Sequence, residues 1–127
     1  MTDAPPPALP ELETAVMERV WARGEATVHA VRDDLNARPE RQRAYTTVLT
    51  VMVRLCAKGL LHKQRRGRRD HYVAAMSRDE YVAARARSEV ATLVAEYGDL
   101  ALAHFAARVD ELDAARREKL ARLARGG

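Results

Sequence analysis

The chain has 127 residues, with 47% hydrophobic residues, 31% charged residues and a net charge of +4, a composition that excludes a disordered chain and allows one domain or two very small ones. No apolar run approaches the ~20 residues of a membrane-spanning helix, and the single cysteine, Cys56, excludes an internal disulfide. We therefore expect a helix-rich cytoplasmic protein with no membrane insertion.

The first part of the chain predicts two helices after a short leader. Residues 1–8 contain an acid and several prolines, which indicates a disordered leader rather than a signal peptide. A first helix should begin at Pro10 and end at Gly24. Thr27 is a suitable N-cap for a second helix, and residues 36–43 form a polar loop.

The third helix, from Tyr45 to Lys58, has two unlike faces. At about 100° per residue, one arc is apolar and the opposite arc carries small side chains and one arginine: Thr46, Thr47, Thr50, Val53, Arg54 and Ala57. Hydroxyl groups can bind phosphates or base edges, methyl groups can contact thymine, and arginine can reach guanine. The alternative is that the threonines cover a protein contact.

An arginine-rich hairpin follows this helix. Two short strands, residues 60–66 and 69–73, should pair around Gly67 and Arg68, and they carry the candidate DNA contacts Arg65, Arg66, Arg68 and Arg69. Residues 36–69 hold ten basic residues and one acid, a net +9, whereas the rest of the chain holds 12 basic residues and 17 acids, a net −5. A basic ribbon after a recognition helix predicts the wing of a winged helix-turn-helix on double-stranded DNA.

The C-terminal region predicts three thin helices. Ser77 and Glu80 form a capping box, and Asp99 and Asp110 are expected to cap the next two helices. About fifty residues cannot bury much core alone, so we expect the region to pack against a second copy; a tail folded over the first helices is the alternative. The candidate dimerisation residues are Val82, Val90, Leu93, Tyr97, Leu102, Phe105, Leu112, Leu120 and Leu123.

The predicted fold is therefore mainly α. A winged helix-turn-helix domain with a short β-hairpin wing should cover residues 9–75, and a helical dimerisation domain should cover residues 76–127. No nucleophile, base and orienting group are arranged as in an enzyme, and no spacing indicates a metal or cofactor site. His62 and His71 are expected to be ribbon residues.

Three segments of the sequence resemble one known family. LPELETAVMERVWARGEATVHAVRDDL resembles the first two helices of the penicillinase-repressor (BlaI/MecI-type) family of winged-helix transcriptional repressors. YTTVLTVMVRLCAKGLL resembles its recognition helix, and GRRDHYV resembles its wing. The resemblance implies a homodimeric repressor of a two-fold-related operator. It also implies that Thr46, Thr47, Thr50 and the wing arginines contact DNA.

The resemblance also implies a mode of induction. In the family, a membrane-bound β-lactam sensor triggers cleavage of an Asn-Phe bond in the dimerisation module. The matching pair here is His104-Phe105, which retains Phe but not Asn. Phe105 as an ordinary core residue is the alternative.

Two other classes of protein stay open at this point. A small-molecule-sensing winged-helix regulator would need a ligand pocket between the two modules. A winged-helix adaptor that binds proteins would not need the cluster from Arg65 to Arg69.

Overall fold

The computed structural model describes residues 4–126, which contain six helices and a three-stranded antiparallel sheet in the order β1-β3-β2. The mainly helical winged-helix fold is as predicted. The elements are α1 (Glu11–Arg23), β1 (Glu25–Ala26), α2 (Val28–Leu35), α3 (Tyr45–Ala57), β2 (Leu61–Arg66), β3 (Arg69–Ala74), α4 (Arg78–Tyr97), α5 (Asp99–Asp110) and α6 (Ala114–Gly126).

Local signals place the first two helices. The chain leaves α1 at Gly24, whose φ of 83° favours glycine, as expected. Thr27 is the N-cap of α2, because its side chain accepts a hydrogen bond from Ala30 N at 3.1 Å. Between them lies β1, which the sequence analysis missed because two residues carry too little periodicity to signal a strand.

The core lies where α1, α2, α3 and the sheet meet. It contains one face of each of these three helices. Leu60, just before β2, and Tyr72, on β3, also belong to it. The fully buried side chains include Val16, Met17, Val20, Val31, Val48, Met52, Leu55, Leu60, Leu61 and Tyr72. This core holds α3 with its apolar arc inward, and the opposite arc is exposed.

The wing is a hairpin with a two-residue turn. Strands β2 and β3 pair from Leu61 opposite Ala74 to Arg66 opposite Arg69. Gly67 turns the chain with a φ of 62°, a value that L side chains rarely adopt. Tyr72 packs beneath the ribbon, as expected, and is 2% exposed.

The segment before α1 contacts the start of α4. Tyr81 donates from its hydroxyl to Pro7 O at 2.6 Å, and Arg85 donates to Pro6 O at 3.0 Å. Pro6 and Pro7 thus offer backbone carbonyls to side chains of α4, and the disorder expected for residues 1–8 stays a prediction. The expectation for residues 1–3 lies outside the described residues.

The start of α4 is capped as its sequence predicts, and contacts with α1 also anchor it. Ser77 N donates to Glu80 Oε1 at 2.9 Å and Glu80 N donates to Ser77 Oγ at 3.1 Å, which completes the capping box. The hydrogen bond from the Ser77 backbone lowers the pKa of Glu80. Trp21 Nε1 donates to Met76 O at 3.0 Å, and the Trp21 and Tyr81 rings lie 5.5 Å apart.

The chain divides into two compact units, one ending at Arg85 and the other beginning at Ala86. The first unit thus includes the first turns of α4, beyond the boundary at residue 76 that the sequence suggested. Their packing partners, Trp21 and the proline segment, are distant in sequence, so local patterns do not report them.

Two expected helix starts in the second unit are wrong by a few residues. Asp99 is the first residue of α5 rather than its cap, since Gly98 occupies the N-cap position. Asp110 is the last residue of α5, and Asp113 caps α6 by accepting from Arg116 N at 2.8 Å. Leu112 consequently lies in the turn before α6, where its carbonyl accepts a hydrogen bond from Arg117 Nη1 at 2.6 Å.

Candidate nucleic-acid interface

The exposed arc of α3 has the composition and position predicted for it. Thr46, Thr47, Thr50, Val53, Arg54 and Ala57 are all exposed, whereas Val48, Val51, Met52 and Leu55 on the opposite arc are buried. Val53 is 54% exposed. The arc contains no acid and only one long side chain, so a flat or grooved anionic surface can approach it closely.

The hydroxyl of Thr50 is already engaged within the helix. It donates to Thr46 O at 2.9 Å, one turn earlier. Its remaining hydrogen-bonding capacity is as an acceptor, which suits the amino groups of adenine or cytosine and not a phosphate oxygen. In the described chain, Thr46 and Thr47 make no side-chain hydrogen bond, so their hydroxyls can donate.

The N-terminus of α3 offers further donors. Its first intrahelical hydrogen bond runs from Val48 N to Ala44 O at 3.2 Å, so the three preceding amides have no partner inside the helix. Ala44 cannot cap them with a side chain, and the first turn contains no acid. The positive end of the helix dipole is therefore open to an anion.

A side-chain clamp fixes the loop that leads into α3. Asn36 Nδ2 donates to Arg43 O at 2.9 Å, and Arg43 N donates to Asn36 Oδ1 at 2.7 Å. Gln42 Nε2 adds bonds to the carbonyls of Asn36 and Arg38, each at 3.0 Å. Asn36 was predicted only as part of a polar loop, and no local sequence pattern signals this role.

A partly buried ion pair anchors the other end of α3. Lys58 Nζ lies 2.7 Å and 2.9 Å from the two oxygens of Glu13, which is 5% exposed. The sequence suggested only that Glu13 favours the helix dipole of α1. The pair instead joins α1 to the C-terminus of α3, and removing Lys58 would leave the buried carboxylate of Glu13 unpaired.

The four wing arginines are all exposed but differ in their partners. Arg65 pairs with Asp70 at 3.4 Å, and Arg66 pairs with Glu25 at 2.6 Å. Arg68, in the turn, and Arg69 make no ion pair with any described residue. The Arg65–Asp70 pair is long and exposed, so it contributes at most about 1 kcal/mol and a phosphate can exchange with Asp70.

Most of the basic segment remains available to a polyanion. Four of its cations are paired within the chain: Arg41, Lys58, Arg65 and Arg66. The other six make no ion pair among residues 4–126: Arg38, Arg43, Arg54, Lys63, Arg68 and Arg69. They belong to the loop before α3, to α3 and to the wing.

A cavity of about 310 Å³ lies between the wing and the helices, lined in part by Tyr45, Arg68 and Arg69. His29 also lines it, and its ring lies 4.6 Å from that of Tyr45. Nothing in the sequence marks His29 as a site residue, because a lone histidine on a short helix forms no pattern. Cys56 on α3 is partly buried, and burial raises the pKa of its thiol.

The three C-terminal helices expose most of the apolar residues proposed for dimerisation. No residue of α4, α5 or α6 is buried. Leu93, Tyr97, Leu100, Ala101, His104 and Phe105 line a groove of about 330 Å³. The more exposed members of the apolar set include Val82, Val90, Leu93, Tyr97, Leu102, Phe105 and Leu123, while Leu112 and Leu120 are half-buried.

The pair His104-Phe105 lies inside a helix. Both residues belong to α5, between Asp99 and Asp110, and Phe105 is 40% exposed. A protease binds its substrate as an extended strand, so cleavage of this bond requires local unwinding of α5.

Other kinds of site have little support in the described part of the chain. Between residues 4 and 126, no three His, Cys, Asp or Glu side chains are grouped so that they could hold a metal ion. No helix in that range has both the length and the apolar character for crossing a membrane.

Comparison with known proteins identifies close sequence relatives. The model of the penicillinase repressor family matches residues 9–125. The protein described as transcriptional regulator BlaI, in two strains of Mycobacterium tuberculosis, is 43% identical over 114 residues, which cover 86% of this chain and 80% of the relative.

Solved structures agree on the fold. The Bacillus licheniformis BlaI monomer in complex with the blaP half-operator is 24% identical, with a TM-score of 0.50 over 60% of this chain and 90% of that one. The DNA-binding domain of the repressor BlaI gives a TM-score of 0.51 at the same identity and coverage. At this level of identity, the likeness shows a shared winged-helix fold.

Proposed function

Because the chain belongs to the penicillinase repressor family, we propose that it represses transcription by binding a specific double-stranded operator through α3 and the wing. The single observation that carries the proposal is the acid-free, exposed arc of α3 next to six cations that have no partner in the described chain. Such a surface would bind a protein partner poorly but matches the phosphates and edges of a DNA groove. The family is one of repressors, so the chain is a regulator and not an enzyme.

We assign different tasks to the two ends of α3. The open amides of its first turn, with Thr46 and Thr47, would bind backbone phosphates. Thr50, Val53 and Arg54 would face base edges in the major groove, where an acceptor, a methyl group and a guanidinium distinguish base pairs. Arg68 and Arg69 would contact the adjacent backbone or minor groove, and Arg65 would do so after leaving Asp70.

The repressor would act as a homodimer. The apolar surface of α4–α6 supports this, because helices without a buried residue gain little from their own packing. A second copy would cover the groove between Leu93 and Phe105. Two α3 helices held at a fixed distance would read half-sites about one helical turn, ~34–36 Å, apart.

Induction would follow the family's proteolytic route. A membrane-bound sensor-protease would cleave His104-Phe105 in α5 and so divide the surface on which dimerisation depends. A monomer would bind one half-site only, and repression would end. Because the proposed target is DNA, the repressor would work in the cytoplasm.

DNA binding by the purified chain tests the proposal. Duplexes recovered by selection from a random pool should bind far more tightly at physiological salt than their scrambled versions. Arg68→Gln should weaken binding to both kinds of duplex. It should also flatten the slope of log affinity against log salt by about 0.9. Arg116→Gln is the control, because it removes from α6 an exposed charge that makes no ion pair among residues 4–126. Equal affinity for selected and scrambled duplexes would refute a specific repressor.

The proposed cleavage has a separate test. The purified chain is incubated with extract from β-lactam-induced cells, and the fragments are weighed by mass spectrometry. Fragments that end at His104 and begin at Phe105 are expected. An intact chain, or cleavage elsewhere, would remove this route while leaving the DNA-binding proposal in place.

A further inference from the structure

Glu25, in the short strand β1, holds one of the wing arginines. Its Oε1 lies 2.6 Å from Arg66 Nη1, and Arg66 Nη2 donates to Gln64 Oε1 at 3.1 Å. In the sheet register, Arg66 is opposite Arg69 at the wing tip, whereas Glu25 is opposite Val73 nearer its base. The Arg66 side chain therefore reaches back across β3, away from the tip.

Fold stability does not account for a carboxylate at this position. The second oxygen of Glu25, Oε2, is buried and accepts no hydrogen bond from any described residue. His71 Nδ1 lies 3.8 Å away, beyond hydrogen-bonding distance. An unsatisfied buried oxygen costs folding free energy, so the negative charge of Glu25 needs a different explanation.

We propose that Glu25 is an internal competitor of DNA phosphate for Arg66, and that it limits the sequence-independent part of DNA binding. This inference rests on the proposed function. The carboxylate occupies the guanidinium that a phosphate would otherwise bind, so Arg66 releases no counterion when the wing meets a duplex. Because phosphate contacts carry no base information, the limit applies to operator and scrambled DNA alike.

The closing experiment is a double-mutant cycle on DNA affinity. Wild type, Glu25→Gln, Arg66→Gln and the double variant are titrated against selected and scrambled duplexes between 50 and 200 mM salt. E25Q should steepen the slope of log affinity against log salt by about 0.9, so that its advantage over wild type shrinks about 3.5-fold as the salt rises from 50 to 200 mM. In the R66Q background, E25Q should not change the slope.

A matched variant separates the loss of a charge from the release of Arg66. Glu40→Gln also removes one negative charge, from an exposed residue in the loop before α3 that makes no ion pair among the described residues. E40Q should leave the slope almost unchanged. An E25Q effect that equals that of E40Q, or that persists in R66Q, would overturn the inference.

A second comparison does not require any change at Glu25. Arg66→Gln should leave the slope nearly unchanged, whereas Arg68→Gln should flatten it by about 0.9, because only Arg68 is available to phosphate. Equal losses in the two variants would overturn the inference even if E25Q failed to fold. Failure of the wild type to bind any duplex at low salt would overturn the proposed function and this inference together; wild-type binding without the expected coupling would overturn only the inference.

Discussion

At the scale of single residues, the threonines of α3 look alike in the sequence but differ in the hydrogen bonds that they can still make. Thr50 gives its hydroxyl hydrogen to Thr46 O and keeps an acceptor and a methyl group, while Thr46 and Thr47 retain their donors. Thr46, Thr50, Val53 and Ala57 are spaced as one stripe of the exposed arc. An isopropyl group that is 54% exposed in this stripe suits a thymine methyl group.

Val53 can therefore be tested with modified DNA. Replacing one thymine of the selected half-site by uracil removes a methyl group, and at the position that Val53 contacts, affinity should fall about fourfold, since a buried methyl group is worth about 0.8 kcal/mol. The loss should shrink in Val53→Ala. Uracil placed outside the half-site is the control. If no thymine position is sensitive, or if V53A keeps the full sensitivity, the contact does not exist.

At the scale of elements, the beginning of α3 is less stable than it could be. Ala44 has the extended backbone of an N-cap, with φ −75° and ψ 153°, but no side chain to accept from the first-turn amides. Thr27 at the start of α2 shows that the same fold uses a capping hydroxyl elsewhere. We interpret the missing cap as leaving donors for a phosphate.

A capping side chain at position 44 is expected to raise the stability of the fold and to weaken DNA binding. Ala44→Ser should raise the free energy of unfolding by about 1 kcal/mol, because its hydroxyl accepts from a first-turn amide. The same hydroxyl competes with phosphate, so affinity for all duplexes should fall. Chemical denaturation and DNA titration measure the two effects. Pro10→Ser, which offers a cap to α1 instead, is the control and should not weaken DNA binding. Stronger DNA binding by A44S would contradict the phosphate assignment.

An ion pair between helices gives a pH prediction at the same scale. Arg23 makes two hydrogen bonds to Asp34, at 2.7 Å and 2.8 Å, and joins the end of α1 to α2. The hydrogen bond from Arg23 lowers the pKa of Asp34 in the folded protein. The stabilisation is therefore present above the ordinary pKa of an aspartate, about 3.9, and is lost as the pH falls through the lower folded value.

Asp34→Asn should remove this contribution. Thermal melts of wild type and D34N should differ most at neutral pH, with wild type the more stable, and the difference should narrow below about pH 4. Asp33→Asn, whose carboxylate is more exposed and pairs only with Arg32 at 3.3 Å, is the control. A difference that stays constant across the acid range would show that the ion pair does not carry it.

At the scale of the whole molecule, assembly is proposed to decide affinity. The N-terminal unit has a closed core, whereas the helices of the C-terminal unit leave their apolar residues exposed. A second copy would bury them and would also place the second reading surface. Dimerisation and operator affinity should therefore change together.

Phe105→Glu tests this coupling. A carboxylate in the groove lined by Leu93 and Tyr97 would lose its hydration on dimerisation, so the variant should sediment as a monomer. Its affinity for a duplex with two half-sites should fall to that for one half-site. Arg108→Glu places the same charge on an exposed position of α5 and should remain dimeric. A dimeric F105E, or a monomer that binds the full operator normally, would refute the proposed assembly.

The sequence by itself determined those features that depend on neighbouring residues. Gly24 and Thr27 separate the first two helices, α3 is recognisable by its two arcs, and Gly67 marks the wing turn, because caps, periodicity and turns act within a few residues. The exposed arc with Thr46, Thr47 and Thr50 follows from the same periodicity. Family membership was likewise legible in the order of these segments.

Only the tertiary structure decided which charges are available. Lys58 and Arg66 have the same sequence character as Arg54 and Arg68, yet the first two are held by Glu13 and Glu25, 45 and 41 residues away. The contacts of Pro6 and Pro7 with α4 also join distant residues. Partners so far apart in the chain come into contact because the core packs their elements together, and no local sequence pattern predicts such contacts.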